Sequence, residues 1–248
     1  MTQCCGCQSQ LARYKAILLF GAPGSGKGTQ GKILAAIPGF LHTSTGDLFR
    51  ALDPSSDLGK VFREYSTRGE LVPDSFTIDL WKEHMRKVVE SGRFKLATDL
   101  VLLDGVPRNV NQARLLADAI DVVKIICLDT DKLDVMVERL KKRAQKEGRA
   151  DDADESVIRN RMDVYRTNTT PILDFYPKDK IAKVEATLSM IGVFTEIAKI
   201  VRPIKDALDG YPVAQEPSPR PAAKKAPAKK PVKKPAKKVA KRAKGRGR

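Results

Sequence analysis

Nine residues, GAPGSGKGT from Gly21 to Thr29, place four glycines and one lysine directly after the apolar run AILLF. They fit G-x-x-x-x-G-K through Gly21, Gly26 and Lys27. Glycines let backbone N–H groups approach phosphate oxygens with no Cβ in the way, and the N-terminus of a following helix adds a favourable potential for an anion. Lys27 supplies a mobile point charge for β- and γ-phosphates. A plain turn accounts for a glycine or two, but not for a lysine at the start of a helix. Further along, Asp104 closes the apolar run LVLLD in the manner of an acid that directs magnesium. The other reading of Asp104, a helix N-cap, is weakened by Gly105 and Pro107 behind it. The stretch ERLKKRAQKEGRADDADESVIRNR is rich in arginine, which by itself describes a solvated helix face.

Those groups must be held by regular elements. KAILLF (15–20) reads as a buried parallel strand and KGTQGKILAAI (27–37) as a helix, with the glycine loop between them. FLHTS (40–44), LVLLD (100–104), VVKIICLD (122–129) and KIAKVEA (180–186) are further short apolar or β-branched runs separated by amphipathic stretches. The alternation predicts an α/β P-loop fold of three layers, a five-stranded parallel sheet with helices on both faces. About 55 residues lie between the second and third strands, more than one crossover needs, and predict a small helical subdomain. The polar segment EGRADDAD breaks helical periodicity and predicts a short mobile flap.

The 248 residues carry a formal charge of +16, but 217–248 hold 14 Lys and Arg and no acid. Residues 1–216 then hold 32 basic and 30 acidic side chains, about +2. The domain is nearly neutral, and the tail carries the basicity. From about Pro212 the composition turns to Pro, Ala and Lys, with little to bury and strong self-repulsion, so this segment is expected to be disordered. It resembles in composition the tails of linker histones. Such a tail fits nucleic acid or another polyanion, bound through phosphate backbones without sequence preference; it has no aromatic residue for base stacking. No apolar stretch spans a bilayer and the start MTQCCGCQSQ lacks a secretory pattern, so a cytoplasmic protein is expected, or a nuclear or nucleoid one if the tail is an address. Cys4, Cys5 and Cys7 read as part of a disordered, reduced leader, with palmitoylation or adventitious metal binding as the alternative, and Cys127 as a small core residue.

GAPGSGKGT resembles the phosphate loop of the adenylate kinase family, the nucleoside monophosphate kinases. Gly28 stands where Ser or Thr usually follows the lysine, and a threonine comes at 29. Three more stretches match in order. STGDLFR (44–50) is similar to the monophosphate-binding segment, which implies Thr45 and Arg50 at the base and phosphate of AMP. RGELVPD (68–74) resembles the piece whose backbone, at Leu71 and Val72, walls the adenine. LLDGVPRNVNQA (102–113) resembles the signature D-G-[FY]-P-R, implying Asp104 near Mg²⁺ through water, Gly105 and Arg108 at the AMP phosphate, and Gln112 at the adenine edge. The resemblance places ATP on Gly21, Gly24, Ser25, Gly26, Lys27, Gly28 and Thr29, with Arg139 stacked on its adenine. It also makes Lys27, Arg108, Arg143, Arg149 and Arg161 the implied catalytic set, the last three clasping the transferring phosphoryl group.

The implied reaction is transfer of a phosphoryl group from ATP to AMP giving two ADP, with Mg²⁺ carried by ATP and no zinc, and family precedent implies a monomer. The resemblance runs from about Lys15 to Arg202. It divides the chain into a leader (1–13), a kinase-like domain (14–207) with a monophosphate-binding insertion (about 44–73) and a short lid (about 143–154), and a basic tail (208–248). Val106 replaces the usual aromatic residue of the signature, and VEATLSM lacks the glycine that many relatives place beside the ATP base. His42 and His84 have no evident partner and read as structural or exposed. A UMP/CMP kinase is the alternative acceptor choice, because Asn109 belongs to that branch while Thr45 and Gln112 belong to the AMP branch. A nucleic-acid-binding protein on a kinase-like scaffold is the alternative of a different class.

Overall fold

The computed structural model describes residues 13–149, 152 and 154–212. Cys4, Cys5, Cys7 and the basic segment 217–248 lie outside the described residues, as do positions 150, 151 and 153 of the expected flap.

Five parallel strands form one sheet: β1 (Tyr14–Gly21), β2 (Phe40–Ser44), β3 (Leu100–Asp104), β4 (Ile120–Asp129) and β5 (Ile181–Glu185), in the order β2-β3-β1-β4-β5. The helices are α1 (Lys27–Ala35), α2 (Thr45–Arg50), α3 (Asp57–Arg68), α4 (Asp74–Glu90), α5 (Val110–Leu116), α6 (Leu133–Glu147), α7 (Glu155–Val164), α8 (Ile172–Phe175) and α9 (Met190–Leu208). A π-helical turn, Tyr165–Thr169, continues α7.

Continuous apolar strands are what a parallel sheet covered on both faces requires, because alternate residues enter different cores. Ala16, Leu18 and Phe20 of β1 pack with Trp81 and Met85 of α4 and Leu116 of α5. Ile17 and Leu19 pack on the other side with Leu34 of α1, Leu140 of α6 and Ile197 of α9. Each such buried Leu, Ile, Phe or Met side chain contributes roughly 1.5–3 kcal/mol relative to exposure. Cys127 is a buried core residue in β4, and burial raises its thiol pKa.

Strand register sets the site. Asp104 pairs with Leu19 of β1 and with Ser44 of β2, while Gly21 pairs with Leu128 of β4. The chain leaves β1 toward β2 and later leaves β3 toward β4, on opposite sides of β1, so a crevice opens beyond the carboxyl ends of these strands. Between β2 and β3 lie α2, α3 and α4, the helical insertion.

Candidate active site

The loop from Gly21 to Gly26 turns β1 into α1. Gly21 has φ +149°, and a Cβ there would lie 2.6 Å from the Leu128 carbonyl oxygen, so the residue must be glycine for close packing against β4. Gly26 caps α1 at φ +96° with nothing within 4 Å of the Cβ position, so there the demand is conformational and the space above it is open. No side chain caps the first turn of α1 and no acid lies in it, which leaves its N–H groups to face an anion. Lys27 Nζ donates to the carbonyls of Gly21 at 2.6 Å and Ala22 at 3.1 Å.

Burial pushes the Lys27 ammonium down to about 8, against the pull of Asp104 and with the push of Arg108, Arg161 and Arg143. Burial likewise opposes ionisation of Asp104, but His42, Lys27 and Arg108 outweigh it and hold the carboxyl below its ordinary range. His42 Nε2 stands 3.6 Å from Asp104 Oδ2, an ionic distance longer than a hydrogen bond. Its ring packs so closely on α1 that a Cβ on Gly31 would lie 2.3 Å from its Cδ2. A Cβ on Gly28 would reach within 3.4 Å of Asp104 Oδ2, so this variant residue faces the acid directly.

On the other side of the crevice, Thr45 Oγ1 donates to the Gly105 carbonyl at 2.9 Å, and Arg108 Nε donates to the same oxygen at 2.9 Å. Arg50 Nη2 donates to Asp47 Oδ1 at 2.5 Å within α2. Phe49 and Phe62 stack with ring centroids 5.1 Å apart, tying α2 to α3. Val106 is buried in the core and the Val106–Pro107 peptide is cis. Thr169 of the π-helical turn donates its hydroxyl hydrogen to the Arg108 carbonyl at 2.9 Å.

The third wall comes from α6, α7 and the segment between them. α6 ends on Gly148 in the left-handed conformation, and α7 starts on Asp154, whose carboxylate accepts from the Ser156 N–H. Asp152 is fully buried: Oδ2 accepts from Arg143 Nε at 2.7 Å and Nη2 at 2.5 Å, and Oδ1 accepts from Arg161 Nη1. Arg149 reaches to 3.6 Å from Asp47 Oδ1.

Of the site residues expected from the sequence, all but Ser25 and Arg139 line one cavity of about 540 Å³. Ser25, within the loop, is buried, and its hydroxyl has no hydrogen-bond partner among the described residues. Arg139 donates to the Ala186 carbonyl at 2.8 Å, on the turn after β5 that lacks the expected glycine. Asp47, Asp152, Thr169 and the pairing of His42 with Asp104 are not apparent from the sequence pattern. Asp47 and Asp152 fall within STGDLFR and EGRADDAD, but Arg149, which Asp47 meets, and Arg143 and Arg161, which Asp152 meets, lie on other elements. Among the described residues no cluster of His, Cys, Asp and Glu could hold a metal by itself, and no helix is long and apolar enough to cross a membrane.

The family model described as adenylate kinase matches residues 19–181. The chain is 37% identical over 189 residues to an adenylate kinase of Flavobacterium psychrophilum, covering 74% of this chain and 94% of that protein. It is 37% identical over 192 residues to one of Bacteroides thetaiotaomicron, covering 75% and 97%. It is 42% identical over 178 residues to one of Rhodococcus erythropolis, covering 68% and 90%.

Proposed function

The chain belongs to the adenylate kinase family, and we propose that it transfers the terminal phosphoryl group of ATP to AMP, giving two ADP, with Mg²⁺ carried by the nucleotide. The observation that carries this reading is the convergence of Lys27, Arg108, Arg143, Arg149 and Arg161 on one cavity that also contains the buried Asp104. The acceptor phosphate is already a nucleophile at neutral pH, so the protein needs to align two phosphates and neutralise their charge rather than abstract a proton.

The glycine loop and the first turn of α1 hold the donor phosphates, and Lys27 leaves its carbonyl partners to meet them. Arg50 and Arg108 hold the acceptor phosphate. Arg143 and Arg161, aimed by Asp152, and Arg149 meet the charge that develops on the group in flight. Gly105 and Thr45 shape the monophosphate side, Leu71 and Val72 wall the base, and Gln112 reads its edge. Arg139 of α6, bonded to the Ala186 carbonyl on the turn after β5, flanks the donor base. The contact of Arg149 with Asp47 draws the lid to the insertion, and the hydrogen bond from Asn160 Nδ2 of α7 to the Arg68 carbonyl at 2.6 Å holds α7 beside it, which excludes water from the transfer.

A divalent cation fits beside Asp104, because an ionised buried carboxylate there faces the phosphate loop while no full protein ligand set surrounds it among the described residues. Asp104 would hold such an ion through water, and the ion would neutralise the β- and γ-phosphate oxygens. Assaying ADP formation from ATP with AMP, CMP, UMP and GMP in turn tests the reading. Fast turnover with AMP alone is expected; turnover with CMP or UMP instead would move the chain to the pyrimidine branch.

The basic tail supports a second, separable role. Fourteen Lys and Arg with no acid in 217–248 favour binding to nucleic acid or another polyanion, with steep salt dependence. Removing 213–248 should leave phosphotransfer intact and abolish retention on duplex DNA at low salt. Loss of phosphotransfer would make the tail part of the enzyme instead.

A further inference from the structure

Asp74 opens α4, and its carboxylate gathers three side-chain amides. Oδ1 accepts from Asn109 Nδ2 and from Gln112 Nε2, each at 2.8 Å, and Oδ2 accepts from Asn111 Nδ2 at 2.6 Å. Gln112 Oε1 in turn accepts the backbone N–H of Arg108 at 2.7 Å. Burial raises the Asp74 pKa, but the bonds from Asn111, Asn109 and Gln112 outweigh it and hold the carboxyl below its ordinary range, so at neutral pH it only accepts.

An ionised carboxylate has no proton to give and a backbone N–H cannot accept one. Turning the Gln112 amide through half a revolution would set its oxygen against Asp74 and its NH₂ against the Arg108 N–H, converting two attractive contacts into repulsive ones. The direction of this amide is therefore fixed by partners that cannot exchange roles. Gln112 is 1% exposed and lines the cavity, whereas Asp74 does not. One N–H and one acceptor site of the amide remain for a ligand. An amide so fixed meets a base edge with donor and acceptor in one order only. A 6-aminopurine offers an amino donor beside the N1 acceptor; a 6-oxopurine offers the reverse, a carbonyl acceptor beside an N1–H donor.

We propose that Asp74 is a positioning residue for base selection: it locks the Gln112 amide in the direction that accepts a 6-aminopurine monophosphate and refuses a 6-oxopurine one. This rests on the placement of Gln112 at the base edge given above. Without Asp74 only the bond from the Arg108 N–H still favours one direction, so the amide turns more readily and pairs with either edge.

The test compares kcat/KM for AMP and for inosine monophosphate, which differ at purine position 6, at saturating ATP, in the full-length protein and in Asp74→Ala, Asp74→Asn and Gln112→Ala. Asp74→Ala should narrow the AMP preference about tenfold or more, raising KM for AMP while kcat and KM for ATP change less than about threefold. Asp74→Asn keeps the shape and one acceptor, and should narrow the preference about threefold, which preserves the test if the alanine variant folds poorly. An unchanged preference in folded Asp74→Ala, or in Asp74→Asn if only that variant folds, overturns the proposal. If Gln112→Ala leaves both the AMP KM and the preference unchanged, the placement of Gln112 itself is wrong.

Discussion

The guanidinium of Arg149 stands 3.6 Å from the carboxylate of Asp47, joining the segment after α6 to the helix after β2. Asp47 also holds Arg50 at 2.5 Å and lies 3.9 Å from Lys32. Three cations that face the same cavity thus share one acid, which orders them.

Asp47→Asn should loosen this arrangement modestly. Its side chain is 43% exposed, so the ion pairs are worth under about 1 kcal/mol each in water. The expected result is a KM for AMP raised about two- to fivefold, with a difference from the parent that shrinks as salt is added. Steady-state kinetics at low and high salt check this.

Lys27 links binding to protons. Burial pushes its pKa down to about 8 from an ordinary 10.5. Between those values the unfolded chain binds more protons than the folded one, so Lys27 makes stability rise with pH across that window, and its destabilising effect is complete below about 8. A triphosphate bound beside Lys27 would raise the pKa again. ATP binding at a pH of about 8 to 9 should therefore take up protons, seen by titration calorimetry in buffers of different ionisation enthalpy, and Lys27→Met should abolish the uptake.

Asp152→Asn removes the charge that aims two arginines. Asp152 is fully buried while Arg143 and Arg161 are 29% and 18% exposed at the side chain, so the loss of stability should be about 1–3 kcal/mol. Because both guanidinium groups lose their anchor, kcat should fall by about tenfold or more while KM for AMP changes little. Thermal unfolding and steady-state kinetics together separate the two effects.

Gly105→Ala should damage the monophosphate side. Gly105 has φ +82°, and a Cβ would lie 2.8 Å from Thr45 Oγ1 and 3.1 Å from Arg108 Nη2. Backbone strain costs about 1 kcal/mol or more, and the contact displaces two side chains assigned to AMP. A raised KM for AMP with an unchanged KM for ATP is expected from initial-rate measurements.

Much of the fold is legible in the sequence because buried parallel strands are written as unbroken apolar runs. β2 and β3 coincide with FLHTS and LVLLD, and β5 lies within KIAKVEA. β4 begins at Ile120, two residues before the apolar run, where backbone pairing with Tyr14 and Lys15 extends the ladder past any side-chain pattern. α1 ends at Ala35 rather than Ile37, as the chain turns ahead of Pro38 and Gly39. The phosphate loop is legible because its chemistry is local. The role of His42 is not, because its partner Asp104 lies on the neighbouring strand, and the same holds for Asp74 with Gln112 and Asp47 with Arg149. Such pairs depend on strand order and helix packing, which no spacing along the chain records.

Reversible phosphoryl transfer between two nucleotides in a water-excluding cavity should need neither ATP nor AMP to be supplied. The most direct measurement supplies ADP and Mg²⁺ alone and follows the products by phosphorus NMR. ATP and AMP should form in equal amounts with almost no inorganic phosphate, and Lys27→Met should give no conversion on the same timescale. Unchanged ADP, or inorganic phosphate as the main product, would contradict it.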